Sequence, residues 1–112
     1  MIYIASPYSS RDPEVMRERF EKVSKYAAHL MVEGWYVYCP IAHTHPMALY
    51  GGLNGDWSFW KPYDTYMMKL CEAVHVYQLP GWKTSKGVAA EIKIAKRLRL
   101  PVIYVKEQDA GV

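Results

Sequence analysis

The chain has 112 residues, which is the length of one domain and enough for a modest core. Hydrophobic residues make up 51% and charged residues 22%, a balance too apolar for a disordered chain. The net charge of +3 is scattered rather than gathered into a basic stripe, which excludes a nucleic acid polymer as the expected partner and leaves room for a small anion such as phosphate.

In chain order, Ile2–Ala5 reads as a buried strand. Asp12, Pro13 and Glu14 then supply an N-cap, a proline at the first helical position and an acid in the first turn. Met16, Phe20, Val23, Ala27, Leu30 and Met31 recur near the helical period, and Gly34 is placed to end that helix. Residues 36–39 predict a second strand, stopped at Pro40. From 40 to 59 no periodicity survives. This segment holds His43, His45, Trp57 and Gly51-Gly52, and is expected to be a long loop acting as a lid over a ligand. Residues 60–73 predict a helix with Trp60, Tyr63, Met67, Leu70 and Cys71 on its inner face. Residues 74–79 form the third strand, 80–85 a turn, 87–98 the third helix and, after Pro101, 102–105 the fourth strand. The last few residues are expected to fray.

The order β-α-β-loop-α-β-α-β predicts one domain over residues 1–112. Its fold class is α/β: a Rossmann-like, flavodoxin-like parallel sheet of about four to five strands with helices on both faces. In such sheets the ligand site lies outside the carboxyl ends of the strands. Cys39 and Cys71 are expected as buried free thiols, because a disulfide framework would use more cysteines. No basic leader opens the chain and no run approaches ~20 apolar residues, so a cytoplasmic protein without a membrane partner is expected.

Two acids sit on the wrong helix faces. At about 100° per residue, Val88, Ile92 and Ala95 form the apolar stripe of the third helix, and Glu91 falls inside it. Asp64 lies among Trp60, Met67 and Cys71 in the same way. A carboxylate facing a core is costly unless it is paired, and at the carboxyl edge of a sheet it is a candidate catalytic group. The competing reading is that each acid caps a loop or pairs with a lysine or arginine. The turn Ser85-Lys86-Gly87 offers a hydroxyl, a cation and backbone N–H groups at a helix start, a ready anion site. Ser6, Ser9, Ser10 and Arg11 make a second hydroxyl-rich turn after the first strand.

Ile2 to Pro7, Asp64 and Ser85-x-Gly87-x-x-x-Glu91 ahead of Pro101-Val102 together resemble the nucleoside 2-deoxyribosyltransferase superfamily. The nearest resemblance is to an uncharacterised branch, a domain of unknown function, marked by Pro40-Ile41-Ala42-His43-x-His45-Pro46 and by Leu79-Pro80-Gly81-Trp82 ahead of Ser85. The resemblance covers nearly the whole chain. It implies that Glu91 is the nucleophile at C1′ of a sugar, that Tyr3 orients it, and that Asp64 binds the sugar or assists the leaving base. Ser85 and Gly87 match the positions where nucleotide-hydrolysing members hold a 5′-phosphate; the true transferases usually carry an acid near that place. Ser6 joins them as a substrate contact. A helix N-terminus and the tyrosine hydroxyl are expected to keep Glu91 ionised. The resemblance also implies subunits that share sites, and ten tyrosines in so small a domain point the same way, toward a homodimer or higher homo-oligomer.

His43 and His45 form one pair without third and fourth ligands, so no metal is expected; substrate contact or protonation of the leaving group, and a structural role in the loop, are the readings left. No cofactor is expected. His75 reads as a satisfied core residue. Trp57, Trp60 and Trp82 flank the site, as base-stacking platforms or as packing. The expected function is cleavage or transfer of the N-glycosidic bond of a nucleoside or its 5′-monophosphate. The alternatives are a nucleotide-binding module without turnover and a glycohydrolase of NAD-like ligands.

Overall fold

The computed structural model describes residues 1–53 and 56–112. Its strands are β1 (Ile2–Ala5), β2 (Val37–Tyr38), β3 (Ala73–Gln78) and β4 (Val102–Lys106). Its helices are α1 (Pro13–Val32), α2 (Pro40–Gly51), α3 (Trp57–Met68) and α4 (Lys86–Arg97). Short 3-10 turns occupy Trp82–Thr84 and Glu107–Asp109, so the C-terminal residues expected to fray include an ordered turn.

All strand pairings are parallel, in the order β2-β1-β3-β4. The α/β class and the Rossmann-like sheet with helices on both faces are therefore as expected. Side chains alternate across β1. Ile2 and Ile4 join a core with Val23, Tyr26, Ala27 and Leu30 of α1 and Ile41 of α2. Tyr3 and Ala5 face the other way, into a core with Met68 of α3 and Val88, Ile94 and Ala95 of α4. From β1 the chain crosses to β2; from β2 it returns past β1 to β3. The connections leaving β1 and β3 thus diverge onto opposite faces and open a crevice at the carboxyl edge.

The first helix starts as the sequence dictates: Asp12 accepts from the Glu14 N–H at 3.0 Å and Pro13 follows it. Met31, expected on its inner stripe, is half exposed, while Tyr26 is buried in its place. His75 accepts or donates a 2.7 Å bond with the Tyr26 hydroxyl, consistent with a satisfied, half-buried residue.

Residues 40–51 and 57–59, expected to be irregular, are helical. Pro40 does not end structure here; it opens α2, at the first turn where its missing N–H is harmless. Gly52 closes the helix with a left-handed φ of 64°. The helix escapes a periodicity reading because its outer face, with Met47 and Tyr50, is as apolar as its inner one. Asn54 and Gly55, within the expected lid, lie outside the described residues. The next helix, α3, begins at Trp57, earlier than expected, and ends at Met68. Its buried side is Asp64 and Met68, continued by Cys71, whereas Tyr63 and Leu70, expected inside, are exposed. Both cysteines are buried free thiols. Among the described residues no helix is long and apolar enough to cross a membrane.

Candidate active site

Glu91 is set by two facts of local sequence. Ser85 accepts from the Val88 N–H at 3.2 Å, which starts α4, and the stripe Val88, Glu91 and Ala95 then turns toward the sheet. The carboxyl group lands beneath β1, where the hydroxyl of fully buried Tyr3 donates to Glu91 Oε2. Asp64 reaches the same space from α3 and is also buried, at 5% exposure. Neither acid forms an ion pair with a lysine or arginine among the described residues.

Burial sets the protonation of the pair. It pushes Glu91 up to about 8; the Tyr3 hydroxyl pulls the other way, and the Asp64 charge adds to the rise. Burial likewise lifts Asp64 to about 7, against a lowering influence from the Tyr38 hydroxyl. Tyr3 itself is held well above the usual phenol range by burial and by the Glu91 charge. The expectation that Glu91 stays ionised is thus corrected. Loss of hydration outweighs the helix N-terminus and the tyrosine, so Glu91 favours the neutral acid at neutral pH.

Both acids border a cavity of about 470 Å³ at the carboxyl edge of the sheet. Ser6, just beyond β1, forms part of its floor. Pro40, Ile41 and Thr44 of α2 make one wall; Trp57, Trp60 and Asp64 of α3 make another. Ser85, Lys86 and Gly87 stand at the mouth of α4. Ser6 Oγ and Asp64 Oδ1 are buried without a hydrogen-bond partner among the described residues. Buried polar atoms in proteins are ordinarily satisfied, so these two are open to a further hydrogen bond within the cavity.

The mouth of α4 is likewise unfinished. The Ser85 hydroxyl caps Val88, and the Ser85 carbonyl takes the Ala89 N–H, while the first N–H groups, of Lys86 and Gly87, have no helical acceptor by geometry. A Cβ on Gly87 would meet only Ser85 Oγ, at an ordinary 3.9 Å, so packing does not require glycine there.

Some expected site residues are not brought together. His43 and His45 do not line the cavity; Thr44 between them does. The His45 ring stacks on Phe20 of α1, with centroids 4.3 Å apart, and its Nδ1 is hydrogen-bonded to the Tyr8 hydroxyl. His43 is exposed and stacks on Tyr63. Trp82 packs on Tyr104 and does not line this cavity. Arg11 is absent from the lining, and Arg19 stands in its place. The Arg19 guanidinium donates to the carbonyls of Ser9 at 2.9 Å and Pro80 at 3.1 Å, so it ties the turn after β1 to the turn after β3. Gly81, at φ 93°, leaves room for it: a Cβ there would sit 2.6 Å from Nη2. Arg19 lies mid-helix among other charged residues, and no sequence signal separates it from them.

The fold and the site define a single-domain α/β protein with a buried pair of acids in a cavity at the switch point of a parallel sheet. The chain belongs to the family described as a domain of unknown function (DUF1937), whose family model matches residues 1–107. Comparison with curated proteins gives no match.

Proposed function

We propose that the protein cleaves or transfers the N-glycosidic bond of a nucleoside or, by preference, its 5′-monophosphate, through a covalent bond between the sugar and Glu91. The observation that carries this reading is the buried Glu91 carboxyl, hydrogen-bonded by Tyr3 and sharing one cavity with the buried acid Asp64.

In this reading the Glu91 carboxylate attacks C1′ as the bond from C1′ to the base nitrogen breaks. The bond's electron pair leaves with the base. Asp64, whose raised pKa keeps it partly protonated near neutrality, gives the base its proton. Water or a second base then attacks C1′ of the glycosyl ester. Asp64 takes back a proton, and the Glu91 carboxylate is released. The Tyr3 hydroxyl holds the attacking oxygen in place and steadies its charge. Trp57 and Trp60 offer aromatic faces to the base. The unused N–H groups of Lys86 and Gly87, the Ser85 hydroxyl and the cationic Arg19 fit a phosphate at the rim.

A nucleotide-binding module without turnover is the second reading, favoured by the raised pKa of Glu91. One experiment separates the two. The protein is incubated with a panel of nucleosides, nucleoside 5′-monophosphates and NAD, and free base is measured by chromatography. Base release that disappears in Glu91→Gln is the expected result. Tight nucleotide binding with no release from any member favours the binding module, and release from NAD alone favours the NAD-like glycohydrolase.

A further inference from the structure

The two acids of the cavity have a tyrosine each on neighbouring strands. Tyr3 of β1 and Tyr38 of β2 are register partners in a parallel pair. Residues paired across neighbouring strands share a face of the sheet, and both rings here enter the core formed with α3 and α4. Their centroids lie 5.8 Å apart. The Tyr3 hydroxyl donates to Glu91. The Tyr38 hydroxyl oxygen is buried and makes no hydrogen bond of good geometry among the described residues, and the same holds for Asp64 Oδ1. These two orphans are neighbours. Burial raises both groups; beyond burial, the Tyr38 hydroxyl lowers Asp64, and the Tyr63 hydroxyl and the Asp64 charge raise Tyr38. Tyr63, one residue before Asp64, sets its ring 6.3 Å from that of Tyr38, which brings this turn of α3 against β2.

We propose that Tyr38 is a positioning residue, whose hydroxyl holds the Asp64 carboxyl group toward the leaving base as Tyr3 holds Glu91. This role rests on the glycosidic reading of the cavity. Tyr38 does not line the cavity, so it acts through Asp64 and not on the ligand. The carboxylate is its better acceptor. A phenol has one proton to donate, and an ionised carboxylate binds it roughly twice as strongly as a neutral oxygen such as that of Tyr63. Asp64 becomes that carboxylate when its proton passes to the base nitrogen. The bond from Tyr38 therefore tightens as the base departs, which lowers the barrier. It relaxes when Asp64 takes a proton back. The other ionisable groups nearby do not replace it. Glu91 is an acid whose charge opposes that of Asp64, and the Tyr3 hydroxyl is committed to Glu91. Arg19, Asp56 and Lys86 border the same cavity, yet Tyr38 is the group that draws Asp64 down. His43 of α2 is exposed and meets the Tyr38 ring edge-on, at 6.1 Å.

The test uses the full chain and the variants Tyr38→Phe and Asp64→Asn. Phenylalanine keeps the ring and its contacts with Tyr3 and Tyr63, so Tyr38→Phe should fold, which circular dichroism checks. The first readout is infrared titration of the carboxyl groups without substrate. The band missing in Asp64→Asn belongs to Asp64. It should titrate near pH 7 in the wild type and about one pH unit higher in Tyr38→Phe. The second readout is the pH profile of kcat/KM on a substrate that releases base. Its limb near pH 7 should move up by the same amount, whereas Tyr3→Phe moves the limb near pH 8. A tyrosine that only packs would move neither band nor limb. An Asp64 band at the same pH in folded Tyr38→Phe overturns the proposal. So does a shifted band with an unshifted limb, which would leave Tyr38 without a part in the reaction. If no substrate releases base, the glycosidic reading falls, while the infrared titration separately upholds or overturns the pairing of Tyr38 with Asp64.

Discussion

The Tyr3 hydroxyl and the Glu91 carboxyl, 88 residues apart in the chain, are joined in a buried hydrogen bond between the central strand and α4. The bond makes the position of Glu91 a property of the sheet rather than of α4 alone. It also means that the two residues can be tested as a unit.

Glu91→Gln should fold and lose base release by at least ~10³-fold, because the amide cannot form the glycosyl ester. Tyr3→Phe should lower kcat by roughly 10- to 100-fold, about 1.4 kcal/mol for each factor of ten. Single-turnover kinetics of both variants on a responsive substrate provides the check. Near wild-type turnover in Glu91→Gln would end the covalent mechanism.

The pH dependence of kcat/KM should be bell-shaped, with its maximum at about pH 7–8. Attack needs Glu91 ionised, and its proton is lost only as pH rises toward about 8. Departure of the base needs Asp64 protonated, and that proton is lost as pH passes about 7. The two acids share one cavity, so the limbs belong to the pair. In Tyr3→Phe the falling limb should move to higher pH and the maximum should drop, since the group that lowers the Glu91 value is gone. A profile that is flat from pH 6 to 9 would reject the assignment.

Stability should fall as pH rises. Both acids have folded-state values above the unfolded value of about 4, so the folded chain binds more protons than the unfolded one between about pH 4 and 8. Their contribution to stability is fully present below that window and is lost across it. Glu91→Gln removes its share and should be more stable than wild type at pH 8.5, by on the order of 1–3 kcal/mol, with little difference at pH 5. Thermal denaturation of both proteins at the two pH values measures this. An equal difference at both would show that burial does not govern Glu91.

Ser85 has two separable roles. Ser85→Ala removes the cap on Val88 and should cost about 1 kcal/mol of stability, besides weakening a nucleoside monophosphate. Ser85→Asp keeps a good cap but places an anion at the rim, so it should stay stable and bind the monophosphate worse than Ser85→Ala does. Calorimetric titration with a monophosphate and its nucleoside tests the pair. If the wild type binds the nucleoside as well as the monophosphate, the phosphate role fails.

The parallel sheet, the helix start at Asp12 and the inward turn of Glu91 and Asp64 were legible in the sequence. Each depends on a period or a cap within a few residues, and such signals survive in a linear string. Gly34 and Pro13 punctuate the chain for equally local reasons. The tertiary structure decided the rest. It made residues 40–51 a helix because Ile41 packs against α1 and β1, although an apolar outer face erases the helical period. It turned Tyr63 and Leu70 outward, although both fit the apolar stripe read from the sequence, because the facing sheet covers only the side of Asp64 and Met68. It placed Arg19 between two distant turns, and it sent His45 to Phe20 instead of the cavity. It also left Glu91 favouring its proton, because hydration is lost to the whole enclosing core and not to any neighbour in sequence.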